Sequence, residues 1–374
     1  MAVTGAGLEG VIAAESRICF IDGEAGILSY QGYDIRTLGE NASFEEVIFL
    51  LWNGRLPKQS ELDELKAGLV THRELPAPVE AFLKGCPKGT VPMIALRTAV
   101  SMLALYDPQA QDMSPEANHQ KAVKLMAQTA TIVSSFDRLR NGNPVVPGDP
   151  KLGFAGNFLY TLTGKKPDEV MEHAFDVALV LHAEHEFNAS TFAARVTAAT
   201  LSDIYSSVVS AIGALKGPLH GGANEDVIRL LLTVNTPEEG VKKVTDMLAN
   251  KVKIPGLGHR VYHTLDPRAS FLKGMAKELG ERTGHVKLYE ISDAIQAYGK
   301  EAKNLNANVD FFSASTYYSL GIPVDLFTPI FAVSRMSGWT AHVLEQYHNN
   351  RLIRPRADYT GEPVGKPWIP MAQR

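Results

Sequence analysis

The residues able to do chemistry collect in the second half of this chain, beside glycines and prolines. Lys216-Gly217-Pro218-Leu219-His220-Gly221-Gly222-Ala223-Asn224-Glu225 surrounds one histidine with break-favouring residues, and Val227, Leu230 and Leu231 then open an amphipathic pattern. His220 is thereby predicted at or just before a helix N-terminus, where the positive end of the helix dipole disfavours an imidazolium. A neutral ring there can donate a hydrogen bond to a developing oxyanion, and the glycines let a substrate approach the backbone. The alternative is a turn histidine that only caps the helix. A second histidine ends Lys251-Val252-Lys253-Ile254-Pro255-Gly256-Leu257-Gly258-His259-Arg260. Gly256-Leu257-Gly258 lacks the third glycine of a dinucleotide fingerprint and follows no strand–helix–strand unit, which excludes that reading. Between 251 and 273, Lys251, Lys253, Arg260, Arg268 and Lys273 stand against a single acid, Asp266. Such a stretch is either a solvated basic surface or a bent, cation-lined backbone suited to phosphates and carboxylates.

Asn306-Ala307-Asn308-Val309-Asp310-Phe311-Phe312 sets an acid before two aromatics. Partial desolvation there would raise the aspartate's pKa toward that of a useful general base; a turn or N-cap aspartate is the plainer account. In His182-Ala183-Glu184-His185-Glu186-Phe187-Asn188, both histidines continue the stripe of Phe175, Ala178 and Leu179. Two histidines three apart can bind a metal, but the spacing is not His-Glu-x-x-His and no third ligand is near. His182 is better read as a core histidine and His185 as a polar contact to a ligand, with no metal. Arg335 lies among Phe331, Val333 and Trp339, and Arg354 in Arg351-Leu352-Ile353-Arg354-Pro355. A guanidinium in an apolar run needs an anionic partner, either a structural acid or a substrate carboxylate.

Helices must position these groups. Phe44, Val47, Ile48 and Leu51 recur at helical spacing behind a Ser43/Glu46 capping box, and Leu62, Leu65 and Leu69 continue the theme. Segments 92–105, 119–140, 152–163 and 168–186 read as helices, while 18–21 and 27–30, split by Asp22-Gly23, read as a small hairpin. The expected class is all-α with two lobes, because 374 residues exceed one ordinary core. Breaks near 217–222, 255–258 and 321–323 bracket the second lobe. A composition of 45% hydrophobic and 21% charged residues is that of a globular protein. The net charge of −4 calls for neither nucleic acid nor an anionic membrane. Cys19 and Cys86 cannot build a disulfide framework, which suits a reducing cytoplasm. No apolar run reaches membrane-spanning length, and the first 20 residues, with Glu9, Glu15 and Arg17, lack a signal or transit layout.

Taken together, these blocks resemble the citrate synthase family. The likeness runs from Gly7-Leu8-Glu9-Gly10-Val11 through Tyr30-Gln31-Gly32-Tyr33 and Leu50-Leu51-Trp52 to Ile353-Arg354-Pro355, and five motifs stand in register. These are the blocks around His220 and His259, Asp266-Pro267-Arg268, Asn308-Val309-Asp310 and Ser334-Arg335. The resemblance implies catalytic roles for Asp310, His220 and His259. Asp310 would take a proton from the methyl group of acetyl-CoA, His220 would hydrogen-bond the thioester oxygen, and His259 would polarise the ketone of oxaloacetate. It implies that His185, Arg268 and Arg335 hold carboxylates, joined by Arg354 of the partner subunit in a homodimer. Arg73 resembles a further substrate-contact position in shorter members. Lys253, Ile254, Pro255, Gly256 and Leu257 match the loop that binds coenzyme A, a co-substrate, with no tightly bound cofactor. The large lobe would be 1–220 and 326–374, the small lobe 221–325. Two residues depart from the family pattern, Ala307 for proline and Ala314 for glycine, and neither removes a catalytic group. The nearest rival reading is 2-methylcitrate synthase, which uses propionyl-CoA with the same residues.

Overall fold

The computed structural model describes residues 6–8 and 10–374; residues 1–5 and Glu9, which include part of the Gly7–Val11 match and the start of the expected large lobe, lie outside it. Sixteen α-helices account for most of the described chain. The first ten are α1 (Ile35–Asn41), α2 (Phe44–Asn53), α3 (Gln59–Thr71), α4 (Ala77–Gly85), α5 (Pro92–Leu103), α6 (Pro115–Arg140), α7 (Phe154–Thr163), α8 (Glu169–His182), α9 (Ala189–Ala198) and α10 (Ile204–Leu215). Then follow α11 (Ala223–Leu231), α12 (Pro237–Ala249), α13 (Ala269–Thr283), α14 (Val286–Lys303), α15 (Val309–Ser319) and α16 (Phe327–His348).

Local chemistry sets the helix boundaries. Ser43 and Glu46 close the expected capping box on α2, and Gly54 ends that helix in the left-handed region at φ 72°. Proline occupies the first turn of α5, α6 and α12, where its missing N–H costs no hydrogen bond. Leu62, Leu65 and Leu69 form the buried stripe of α3. The centre of the molecule is α16, buried on every side from Phe327 to Trp339 and packed against α2, α5, α6, α8, α9 and α10. A helix that is apolar all round belongs in a core. Helices α11 to α15 pack chiefly on one another and meet the remainder through α8 and α16.

The hairpin is β1 (Cys19–Asp22) paired antiparallel with β2 (Ile27–Tyr30), and a short β3 (Tyr33–Asp34) extends it. Its turn reaches the loop that carries His259. The Gly23 carbonyl accepts from the His263 N–H at 3.0 Å. A Cβ on Gly23 would sit 2.0 Å from the Val261 carbonyl oxygen, so no larger residue fits there.

One expected helix is shorter than its sequence suggested. The segment 168–186 stops being helical at His182, so His185 lies in the following turn rather than on the helix. Side chains from elsewhere take the last carbonyls of α8. Tyr30 Oη donates toward Val180 (3.2 Å) and Glu184 (3.0 Å), Ser334 Oγ donates to Leu179 (2.6 Å), and Arg335 Nε donates to His182 (2.8 Å). A helix end satisfied in this way has no need to continue.

Candidate active site

His220 lies in the tight turn before α11, whose N-cap is Gly222. Its Nε2 accepts the backbone N–H of Ser190 at 3.2 Å and lies 2.8 Å from Ser190 Oγ. A nitrogen that accepts a backbone N–H carries no proton, so the ring proton resides on Nδ1. The donor of that bond is in the first turn of α9, so the ring also caps a helix other than the one that follows it in sequence. Trp339 Nε1 and Asn188 Oδ1 hold the Ser190 hydroxyl at 3.1 and 2.8 Å. Burial, followed by the nearby Arg335 charge, lowers the His220 pKa to about 4. The ring is neutral, as expected, although burial rather than the dipole of its own helix is the main cause.

His259 is fixed in the opposite tautomer. Its Nδ1 accepts the backbone N–H groups of Val261 and Tyr262 at 3.0 and 3.1 Å, which puts its single proton on Nε2. Burial and the Arg268 charge bring its pKa to about 4. The ring packs 4.8 Å from Tyr262 and 5.4 Å from His185. His185 Nε2 and the Tyr262 hydroxyl are 3.2 Å apart, and burial holds the His185 pKa well below its ordinary value.

Asp310 is the second residue of α15, behind the N-cap Asn308, and Phe311 and Phe312 beside it are fully buried. Burial raises its carboxyl to about 6, against the pull of Arg268. The segment before it is zipped to the Gly-x-Gly loop. Gly258 N–H donates to Asn306 O (2.7 Å), Asn308 N–H to Gly256 O (2.9 Å) and Asn308 Nδ2 to Gly258 O (2.9 Å). The bridge between Leu257 and Ala307 uses the N–H groups of 258 and 308, so alanine serves there as well as proline. Gly256 has φ +73°, and a Cβ would meet Val227 Cγ2 at 2.7 Å and Phe311 Cδ2 at 2.8 Å. In this loop Ile254 and Gly256 are buried, Pro255 and Leu257 are half-buried, and the Lys253 side chain is exposed.

The two buried arginines differ. Arg268 does not belong to an exposed basic surface. It grips Asp266 through Nε (2.9 Å) and Nη2 (2.8 Å), and Asp266 Oδ2 also accepts the N–H of Val309 at 3.1 Å. The pair thus ties Arg268 to the helix start that carries Asp310. Arg335 is 1% exposed, lies with its guanidinium 4.6 Å from the Phe331 ring centre, and makes no ion pair among the described residues. Its charge bears on His220, His185 and Asp310, and that of Arg268 on His185, His259 and Asp310, so the six groups share one locality.

Arg73 is not brought there, and Arg354 was expected at the partner's site rather than at its own. Arg73 donates to the backbone carbonyls of Asp149 (3.1 Å) and Leu152 (3.4 Å), and the gap it lines with Phe154 and Asn157 is about 10 Å³, too small for a substrate. It ties down a loop between α6 and α7. Arg354 stands exposed in the C-terminal tail of its own chain. Conversely, Ser190, Tyr262, Glu184 and Tyr30 were not singled out in the sequence. Their contacts run across 30 to 154 residues of chain, and no local spacing signals them.

A family model described as "Citrate synthase, C-terminal domain" matches residues 7–356. "Citrate synthase 2" of Bacillus subtilis strain 168 is 53% identical over 370 residues, covering 98% of each chain. The crystal structure of citrate synthase from Pyrobaculum aerophilum superposes with a TM-score of 0.92 at 42% identity, over 98% of this chain and 95% of that one. A ternary complex of carboxymethyl coenzyme A and oxaloacetate with citrate synthase from Thermoplasma acidophilum gives 0.93 at 34% identity, over 98% of both chains. The helical architecture thus has relatives of one kind over nearly the whole length, and this chain belongs to the citrate synthase family.

Proposed function

We propose that the protein condenses acetyl-CoA with oxaloacetate and hydrolyses the resulting citryl-CoA to citrate and CoA. The observation that carries this is the pair of oppositely fixed neutral histidines that share the charges of Arg335 and Arg268 with a carboxylate of raised pKa. Removing a proton from a thioester methyl group needs a base and an oxyanion donor held together, out of water. Asp310 takes that proton while His220 Nδ1–H donates to the thioester oxygen. His259 Nε2–H donates to the oxaloacetate ketone and passes its proton to the new alkoxide. The two backbone N–H groups on His259 Nδ1 stabilise the charge then left on the ring.

Arg268, Arg335 and His185 hold the substrate carboxylates, completed by Arg354 of the partner subunit in a homodimer. Lys253 to Leu257 bind coenzyme A, largely through backbone. The 221–325 lobe closes on the large lobe, 1–220 with 326–374, once oxaloacetate is bound. Coenzyme A enters as a co-substrate, and the chemistry needs neither metal nor redox cofactor. The protein works in the cytoplasm without a nucleic-acid or membrane partner. In support, both cysteines are free, and among the described residues no helix is long and apolar enough to cross a membrane.

The test is a thiol-release assay with oxaloacetate and each acyl-CoA. One methyl group is worth about 1–3 kcal/mol in a pocket, so kcat/KM for acetyl- over propionyl-CoA can reach about 10 to 100. A tenfold preference for propionyl-CoA would assign 2-methylcitrate synthesis instead, and no CoA release with either would sink the enzyme reading.

A further inference from the structure

Arg335 poses a problem that the mechanism does not solve. A guanidinium this buried, beside a second buried guanidinium, needs a counter-charge, yet an acid gripping it as Asp266 grips Arg268 would use up the donors meant for substrate. Glu184 meets both requirements. It is fully buried and is the first charge that opposes the effect of burial on Arg335, but the two form no ion pair.

Its carboxylate is held by a chain of fixed donors. Arg195 Nη1 lies 2.9 Å from His342 Nδ1, and since arginine only donates, that nitrogen is bare. The single ring proton of His342 is therefore on Nε2, pointing at Glu184 Oε1 at 3.0 Å. Arg195 is itself neutralised by Glu345 at 2.6 Å and steadied by Gln346 Oε1 at 3.1 Å. The relay is thus neutral at the histidine, and it gives Glu184 a hydrogen bond without a second positive charge. Glu184 Oε2 has no hydrogen-bond partner among the described residues. It rests against Gly338, where a Cβ would lie 2.1 Å from that oxygen. Arg335, Gly338 and His342 fall at i, i+3 and i+7 on α16, so one helix face presents the substrate arginine, the gap that admits the acid and the donor that orients it. Glu186, Cys19 and the Tyr30 hydroxyl complete the titratable surroundings.

We propose that Glu184, aimed by His342 and Arg195, is a positioning residue that balances the charge of Arg335 without gripping it and so leaves it oriented for a dianionic oxo-dicarboxylate. This rests on the reaction proposed above. Calorimetric titration with oxaloacetate tests it. In Glu184→Gln the dissociation constant for oxaloacetate should rise at least about tenfold, while KM for acetyl-CoA stays within about twofold. His342→Leu strands the acid without its donor, so oxaloacetate affinity should fall there too; His342→Gln, which keeps an N–H at that place, should restore binding. Unchanged oxaloacetate affinity in folded Glu184→Gln, or a matching rise in KM for acetyl-CoA, overturns the assignment. If that variant does not fold, unchanged affinity in His342→Leu, or a loss there that His342→Gln fails to restore, overturns it equally. Wild-type protein that fails to bind oxaloacetate would refute the reaction itself, and is told apart because the variants then have no affinity to lose.

Discussion

Asp310 suits the proposed role of base because it is uncomfortable as an anion. Its carboxyl titrates at about 6, raised chiefly by burial, so near pH 8 it is ionised and still basic enough to accept a proton from carbon. Asp310→Asn should leave the helical circular dichroism spectrum intact and lower kcat by at least about two orders of magnitude. Near-normal turnover in that variant would remove Asp310 from the chemistry. The pH profile follows from the same groups. The base acts deprotonated, and His220 and His259 act neutral with pKa values of about 4. The acid limb of kcat/KM should therefore reflect Asp310, falling below about pH 6 rather than near 4. The residue types and their order were legible in the sequence. The tautomers were not, because they depend on Ser190 for His220, 30 residues away in the chain, and on a loop that folds back upon its own histidine.

At the scale of elements, function depends on how α15 begins. Asn308 caps that helix, accepting the Asp310 N–H at 2.9 Å, and its amide also donates to Gly258 O, so one side chain joins the Gly-x-Gly loop to the proposed base. Asn308→Ala should lower kcat and raise KM for acetyl-CoA together, with melting lowered by the equivalent of about 1 kcal/mol, the usual value of a cap. A fall in stability with both kinetic constants unchanged would make the residue a cap and nothing more. The capping box at Ser43 and Glu46 could be read directly, because both partners lie within four residues. The end of α8 could not. The hydroxyl of Tyr30, on a strand about 150 residues earlier, takes carbonyls there and turns His185 away from the helix face its spacing suggested. Arg73, brought forward only by its likeness to a position in shorter family members, binds the carbonyls of Asp149 and Leu152 in its own chain, contacts that no local spacing signals.

Gathering so many ionisable groups into one dry locality also sets how the whole molecule responds to acid. Burial lowers His182 to about 3, His220 and His259 to about 4, and His185 well below its ordinary value. Unfolded, each would titrate near 6.5 and bind protons that the folded form refuses, so their contribution to stability is complete above about pH 6.5 and is lost as pH falls toward 4. Asp310 at about 6 and Asp176 at about 7 act with the opposite sign. Their folded carboxyls keep protons that the unfolded chain releases near 3.8, so they weaken the fold as pH rises through their folded values. Four histidines outweigh two aspartates. The melting temperature should fall between about pH 6.5 and 4, these six groups alone changing stability by about 3 kcal/mol per pH unit for a net difference of about two protons. Asp310→Asn separates the two signs. It should melt higher than wild type at about pH 8, where the anion it replaces is fully ionised and buried, and the gain should shrink through about pH 6 and vanish near 4. Melting curves of both proteins across that range decide the matter. A constant gap between them would mean that the Asp310 carboxyl is as easily ionised in the fold as in water, and the base would lose the property that suits it to carbon acids.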